Sequence, residues 1–157
     1  MKTIKIGIAA DKAEKMVNQL NTLLANVQLF YMNTRGLHWN ITGEKFFELH
    51  LKFEELYNDL NLKADELAER ILTLEGTPSH NFTEYKTRAE ITELTDVSNA
   101  TTGVQSVIDS LGVLIRLERE LLSLAQQAND EGTSALMSDY IREQEKLVWM
   151  YSAYLGK

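Results

Sequence analysis

The chain has 157 residues, about one domain's worth, and an apolar fraction of 44% that supports a single substantial core. Its 23 acidic and 16 basic side chains leave a net charge of −7, which argues against a nucleic-acid or anionic-membrane surface covering most of the protein. With no cysteine there is no disulfide framework, thiolate metal site or thiol nucleophile, so any metal must be held by His, Asp and Glu.

Residues 1–157 read as a single domain, with residues 1–10 as a flexible N-terminal tail. The run from Ile6 to Ala10 is too short for a signal-peptide core and stops at Asp11, and no stretch approaches the roughly 18 apolar residues of a membrane span. A cytoplasmic protein without membrane contact is expected. Asp11 and Glu14 have the spacing of a capping box, and Met16, Leu20, Leu23, Leu24, Val27, Phe30 and Tyr31 then recur at helical intervals. That predicts a first helix after Asp11, ending between Arg35 and Trp39 where Gly36 and Asn40 to Gly43 supply breakers.

A second helix begins near Glu44, carries Phe46, Leu49, Phe53, Leu56, Leu60, Leu67, Ile71 and Leu74, and stops at Gly76 and Pro78. From Thr77 to about Thr95 the periodicity loosens into a long connection with room for a short helix around Tyr85 to Ile91. A third long helix spans about Asp96 to Ala128. A fourth, capped by Thr133 or Ser134, extends to the C-terminus. Four long helices with two short turns and one long crossover predict an all-α, ferritin-like four-helix bundle whose B–C crossover carries the short extra helix.

Four potential metal ligands lie on one stripe of the second helix. At about 100° per residue, His50, Glu54, Asp65 and Glu69 fall near 0°, 40°, 60° and 100°, while the apolar residues of the same helix cluster near 275°. The stripe therefore faces away from its own core. Glu54 and Asp65 are separated by roughly 16 Å along the axis, against metal–ligand bonds of about 2 Å, so one ion cannot touch both pairs. Positions 50 and 69 share their midpoint with 54 and 65, between Asp59 and Leu60. Two antiparallel copies crossing there bring His50 and Glu54 of one chain against Glu69 and Asp65 of the other, giving two equivalent sites per dimer. His38, beside Trp39 at the end of the first helix, is placed to complete such a set. Imidazole and carboxylate donors without thiolate suit Fe(II), and also Zn(II) or Mn(II). An iron site inside the bundle needs Glu-x-x-His pairs, and the chain has none.

The runs Asn33-Thr34-Arg35-Gly36-Leu37-His38-Trp39-Asn40, Phe46-Phe47-x-Leu49-His50, Leu56-Tyr57 and Ala64-Asp65-Glu66-Leu67-Ala68-Glu69-Arg70, with the closing Glu145-Lys146-x-x-Trp149-Met150, resemble the Dps family of mini-ferritins over about residues 11 to 155. The resemblance implies a hollow homododecamer that oxidises Fe(II), preferentially with hydrogen peroxide, stores the ferric product as mineral and protects against oxidative stress. It implies a ferroxidase site of His38, His50, Glu54, Asp65 and Glu69 shared between two-fold-related subunits, with Trp39 close to the iron as a trap for radical equivalents. The family usually has aspartate where this chain has Glu54. It often has an acidic pore residue where this chain has Ala135, leaving Asp130, Glu131, Asp139, Glu143 and Glu145 as candidates for an acidic funnel. The alternative function is a nucleoid-compacting DNA-binding protein with a secondary metal site. The sparse terminal lysines, Lys2, Lys5 and Lys157, predict weak or absent DNA binding.

Overall fold

Met16, Leu20, Leu23, Leu24, Val27 and Phe30 are buried along one face of α1 (Ala10–Asn40), the first of five helices in a computed structural model that describes residues 1–157. It is followed by α2 (Phe46–Thr73), α3 (Phe82–Arg88), α4 (Ala100–Gln127) and α5 (Glu131–Tyr154). Helix α1 packs on α2 and on α4, and α4 packs on α5. The short turns join α1 to α2 and α4 to α5, so each of those pairs is an antiparallel hairpin. The segment between α2 and α4 is the long crossover, with α3 docked on α1. One continuous apolar cluster contributed by all four long helices fills the centre. This is the all-α, ferritin-like bundle that the periodicity predicts. No helix is long and apolar enough to cross a membrane.

Element ends differ from the sequence reading where backbone or side-chain partners decide them. Asp11 lies in the first turn of α1 rather than at its cap. The cap position belongs to Ala9, and the Ala10 N–H is met by the Lys2 carbonyl at 3.0 Å, so Asp11 complements the positive end of the helix instead. Residues 1–9 turn back on themselves: Thr3 bridges Ala9, the Lys5 N–H reaches Glu75 at 2.9 Å, and Ile8 is buried. Helix α1 runs one residue past its predicted range because Leu37 and Ile41 are buried at its end, and an interior glycine such as Gly36 costs only about 1 kcal/mol. The fourth long helix starts at Glu131, and its cap is Asp130, not Thr133 or Ser134. One Asp130 oxygen accepts the Thr133 N–H at 3.0 Å and the other accepts the Thr133 hydroxyl at 2.5 Å.

Asp130 also receives the Arg70 guanidinium at 2.7 Å, tying the α4–α5 turn to the end of α2. Burial works to raise this carboxyl, but the Thr133 bonds and the Arg70 charge outweigh it and hold it below the usual carboxylate range. A Cβ at Gly132 would stand 2.8 Å from the Arg70 guanidinium nitrogens, so any larger residue there displaces the guanidinium from this position. Asp130 is therefore committed to structure. Of the other acidic-funnel candidates, Asp139, Glu143 and Glu145 are paired with Arg142, Lys63 and Arg119.

Three asparagines of α1 explain how an almost irregular crossover stays ordered. Asn21 accepts the Ser79 N–H and donates to the Thr77 carbonyl; Asn26, fully buried, accepts the N–H groups of Glu90 and Ile91; Asn33 accepts from Leu94 and donates to Thr92. Each amide supplies the partners that a strand or helix would otherwise give these backbone groups. Within the crossover α3 begins at Phe82 because Asn81 caps it, and the next long helix begins at Ala100 because Asn99 caps it.

One buried group is left without a good partner. Glu118 of α4 is fully buried and neither carboxylate oxygen makes a well-formed hydrogen bond. Burial pushes its pKa from 4.5 to about 8, with the Gln144 amide and the Lys63 and Arg119 charges offsetting only part of the effect. A carboxyl whose pKa rises on folding keeps a proton that the unfolded chain loses, so its contribution to stability falls as pH rises from about 4.5 to about 8. The full swing is about 5 kcal/mol on that shift. Glu118→Gln is expected to flatten this dependence and to be the more stable protein at pH 8. Urea unfolding at pH 5 and pH 8 checks it; parallel pH slopes for the two proteins would contradict the assignment.

Candidate metal centre

The end of α1 and the start of α2 bring His38 and His50 face to face. Their rings stack with centroids 3.8 Å apart and planes 12° from parallel. Each ring bonds the other residue's backbone: His38 Nδ1 lies 2.6 Å from the His50 carbonyl oxygen, and His50 Nδ1 lies 2.7 Å from the His38 carbonyl oxygen. A carbonyl only accepts, so both Nδ1 atoms carry the proton and donate it. Both Nε2 lone pairs are left free, and this outer bond is the one that fixes tautomer and ring direction in metal-binding histidines. Phe46 stacks on the far side of His50 at 4.9 Å and Tyr57 meets His38 edge-on at 5.3 Å, so neither imidazole is free to turn. Glu54, half-buried, follows His50 by one helical turn.

Asp65 and Glu69 form the second group, exposed one turn apart near the other end of α2. Glu69 is held above the ordinary carboxylate range, first because a hydrogen bond with Asp65 favours its protonated form and then because the Asp65 charge opposes its own ionisation. A divalent cation would relieve that repulsion. Within one protomer no three His, Asp or Glu side chains come close enough to hold a metal ion, so neither group by itself supplies a full ligand set. Trp39 joins neither half: it is 59% exposed and lies against the Arg35 guanidinium at 5.1 Å, with no ring contact to the imidazoles.

Exposed apolar side chains flank the two groups on the same face of α2, with Asn58 and Asn61 between them. Phe47, Leu51, Leu62 and Leu72 are all exposed and fall at about 60°, 100°, 120° and 40° on the helix wheel that holds the ligands at 0° to 100°. Residues of this size on one face of a long helix mark an interaction surface.

A ferritin-like domain model matches residues 17–157. The chain is 43% identical to a DNA protection during starvation protein of Porphyromonas gingivalis, covering 96% of this chain and 95% of the relative. In three dimensions it superposes on a crystal structure of a Dps protein from Vibrio cholerae O1, described as a ferritin-like diiron-carboxylate protein, with a TM-score of 0.97 and 57% identity over 99% of this chain and 98% of that one. The chain belongs to the Dps family. A Dps protein from Bacillus brevis is similar as well, with a TM-score of 0.90 and 33% identity over 99% of both chains. The Dps family is one of iron-storing, iron-oxidising stress proteins on the ferritin-like fold.

The five candidate donors are named from the sequence, but the aromatic and cationic groups packed around the histidines are not. Tyr57 and Tyr31 stand seven residues from His50 and His38, the spacing that returns a helix to the same face, and Arg35 lies between Tyr31 and His38. That spacing was the available signal.

Proposed function

We propose that the protein is a ferroxidase that oxidises Fe(II) with hydrogen peroxide at sites shared between two subunits, and that it stores the ferric product inside a hollow dodecamer in the cytoplasm. His38, His50 and Glu54 of one protomer and Asp65 and Glu69 of the partner subunit hold the iron, which is substrate and cargo. The observation that carries the reading is the mirror arrangement on α2. The ligand pairs 50/69 and 54/65 and the exposed apolar pair 47/72 all share one midpoint between Asp59 and Leu60. An antiparallel two-fold crossing there sets Phe47 against Leu72 of the partner subunit while it closes both sites. One contact thus buries the apolar residues and joins the half-sites.

The donor set fits the chemistry. Neutral imidazoles bind Fe(II), and carboxylates favour the harder Fe(III), so the site gains affinity for iron as the electron leaves. Zn(II) and Mn(II) accept the same donors and compete as substitutes. Glu54 reaches one methylene further than an aspartate and keeps the carboxylate. Trp39, beside His38 in the chain, is a secondary acceptor of stray oxidising equivalents.

Loading the protein with Fe(II) under anaerobic conditions and then adding peroxide tests the reading. Ferric absorbance should rise at once, on a particle of about twelve subunits by light scattering. A monomer at micromolar concentration with no peroxide-dependent oxidation would sink it. DNA binding is expected to be weak. At −7 per chain, twelve copies repel phosphate, and neither terminus supplies a cluster of lysines. A tight, salt-sensitive gel shift at neutral pH would favour the DNA-compacting alternative.

A further inference from the structure

Helix α5 packs mainly on α4, and side-chain ties join it to α2: Glu143 to Lys63 at 2.8 Å, Asp130 to Arg70 at 2.7 Å and Tyr140 to Glu66 at 3.3 Å. Beyond the Lys63 tie the two helices part. A groove of about 520 Å³ opens there, with Leu49, Leu56, Leu147 and Met150 along it and Asp59 and Glu143 at one end.

The Lys63 ammonium is buried, whereas the two carboxylates it holds, Asp59 and Glu143 at 2.8 Å each, are half-exposed. An ammonium has three N–H groups, and these bonds use two. In the core beside it lie Glu118 of α4 and Gln144 of α5, both buried, with no well-formed hydrogen bond at either carboxylate oxygen or either amide atom. Lys63 pairs with Asp59 and Glu143 and not with Glu118. We propose that Glu118 is a buried proton switch that sets the partner of Lys63: protonated, it leaves the ammonium clasped on Asp59 and Glu143, and deprotonated, it draws the ammonium inward and releases both carboxylates into the groove.

The direction of the exchange follows from exposure. A buried carboxylate without a counter-ion carries a large desolvation cost, while a half-exposed one that loses its ammonium is rehydrated at little cost. Once the Glu118 proton leaves to water, the third N–H of Lys63 is the donor that can meet the new charge. The charged and titratable groups around this core are Lys63 of α2 with Asp59 and Glu66 beside it, Glu143 and Tyr140 of α5, and Arg119 of α4. Helix α1 buries no carboxylate, lysine or arginine, and its buried imidazole, His38, is held by His50. Arg119 is exposed and paired with Glu145, and burial keeps the Tyr140 phenol neutral. Burial also works to lower Lys63, but its bonds to Asp59 and Glu143 outweigh that and hold it above the ordinary lysine range, so the group that titrates is Glu118. Its value of about 8 keeps the clasp shut at neutral pH and opens it in mild alkali. Because α2 carries both ligand groups, the clasp also sets how firmly that helix is held against α5.

The test uses the full-length assembled protein titrated from pH 6 to pH 9.5. Infrared difference spectra read the carbonyl stretch of a protonated carboxyl, and NMR of methyl-labelled methionine, assigned with Met150→Leu, reads the groove. The expected result is loss of a protonated-carboxyl band as pH passes about 8, with a shift of the Met150 methyl at the same midpoint. Both changes should vanish in Glu118→Gln. Lys63→Met should keep the band to higher pH and leave the Met150 methyl in place. The wild-type titration needs no substitution, so a poorly folding variant does not blunt it. No titrating band in this range, a band lost while the Met150 methyl stays fixed, or an equal methyl shift in Glu118→Gln would each overturn the switch.

Discussion

Two inactive variants should regain activity when they are assembled together. One carries His50→Ala and Glu54→Ala, the other Asp65→Ala and Glu69→Ala. In either homodimer both sites lack one half, so fast peroxide-dependent iron oxidation is lost. In a mixed dimer one site takes the mutated half from both chains and is dead. The other takes His50 and Glu54 from the second variant and Asp65 and Glu69 from the first, and is intact. With random pairing about half of the dimers are mixed and each holds one good site of two, so about a quarter of wild-type activity returns. A site built within one chain predicts no rescue. Stopped-flow absorbance on co-refolded protein reads the difference, and normal assembly with no gain over either parent would exclude the shared site.

Replacing Phe47 with glutamate should abolish oxidation while leaving all five ligands in place. Phe47 is 79% exposed and Leu72 58% exposed in the protomer, and the proposed two-fold crossing would bury two copies of each. Each such side chain contributes about 1.5–3 kcal/mol when fully buried, and a carboxylate facing the partner subunit's Leu72 loses that gain and adds a desolvation cost. Phe47→Glu is expected to sediment as a smaller species, to keep its helical circular dichroism, and to lose the fast ferric phase. Phe47→Leu should behave as wild type. A Phe47→Glu protein of full particle mass and full activity would show that α2 does not form the crossing.

The long helices were legible because their apolar residues repeat with the helical period, and the stripe of ligands because the same wheel sets it opposite the core. The mirror spacing of 50/69 and 54/65 is likewise read from the sequence alone, and it is what sets up the proposal of a site shared by two chains. What the sequence did not disclose is settled by partners far apart in the chain. Asn21, Asn26 and Asn33 look like unremarkable polar positions until the crossover lies across them. Asp130 and Thr133 both suit a helix cap, and Arg70 from α2 decides between them. The sequence offers His38 and His50 as two candidate donors, whereas their reciprocal backbone bonds, which set both tautomers, depend on the angle between α1 and α2.

Anomalous scattering at the iron edge from crystals soaked anaerobically in Fe(II) tests the central claim most directly. Iron is expected between two chains related by a two-fold axis near Asp59 and Leu60, bound by the Nε2 atoms of His38 and His50 and by Glu54 of one chain, and by Asp65 and Glu69 of the partner subunit. Iron held wholly within one bundle, or at neither half-site, would contradict it.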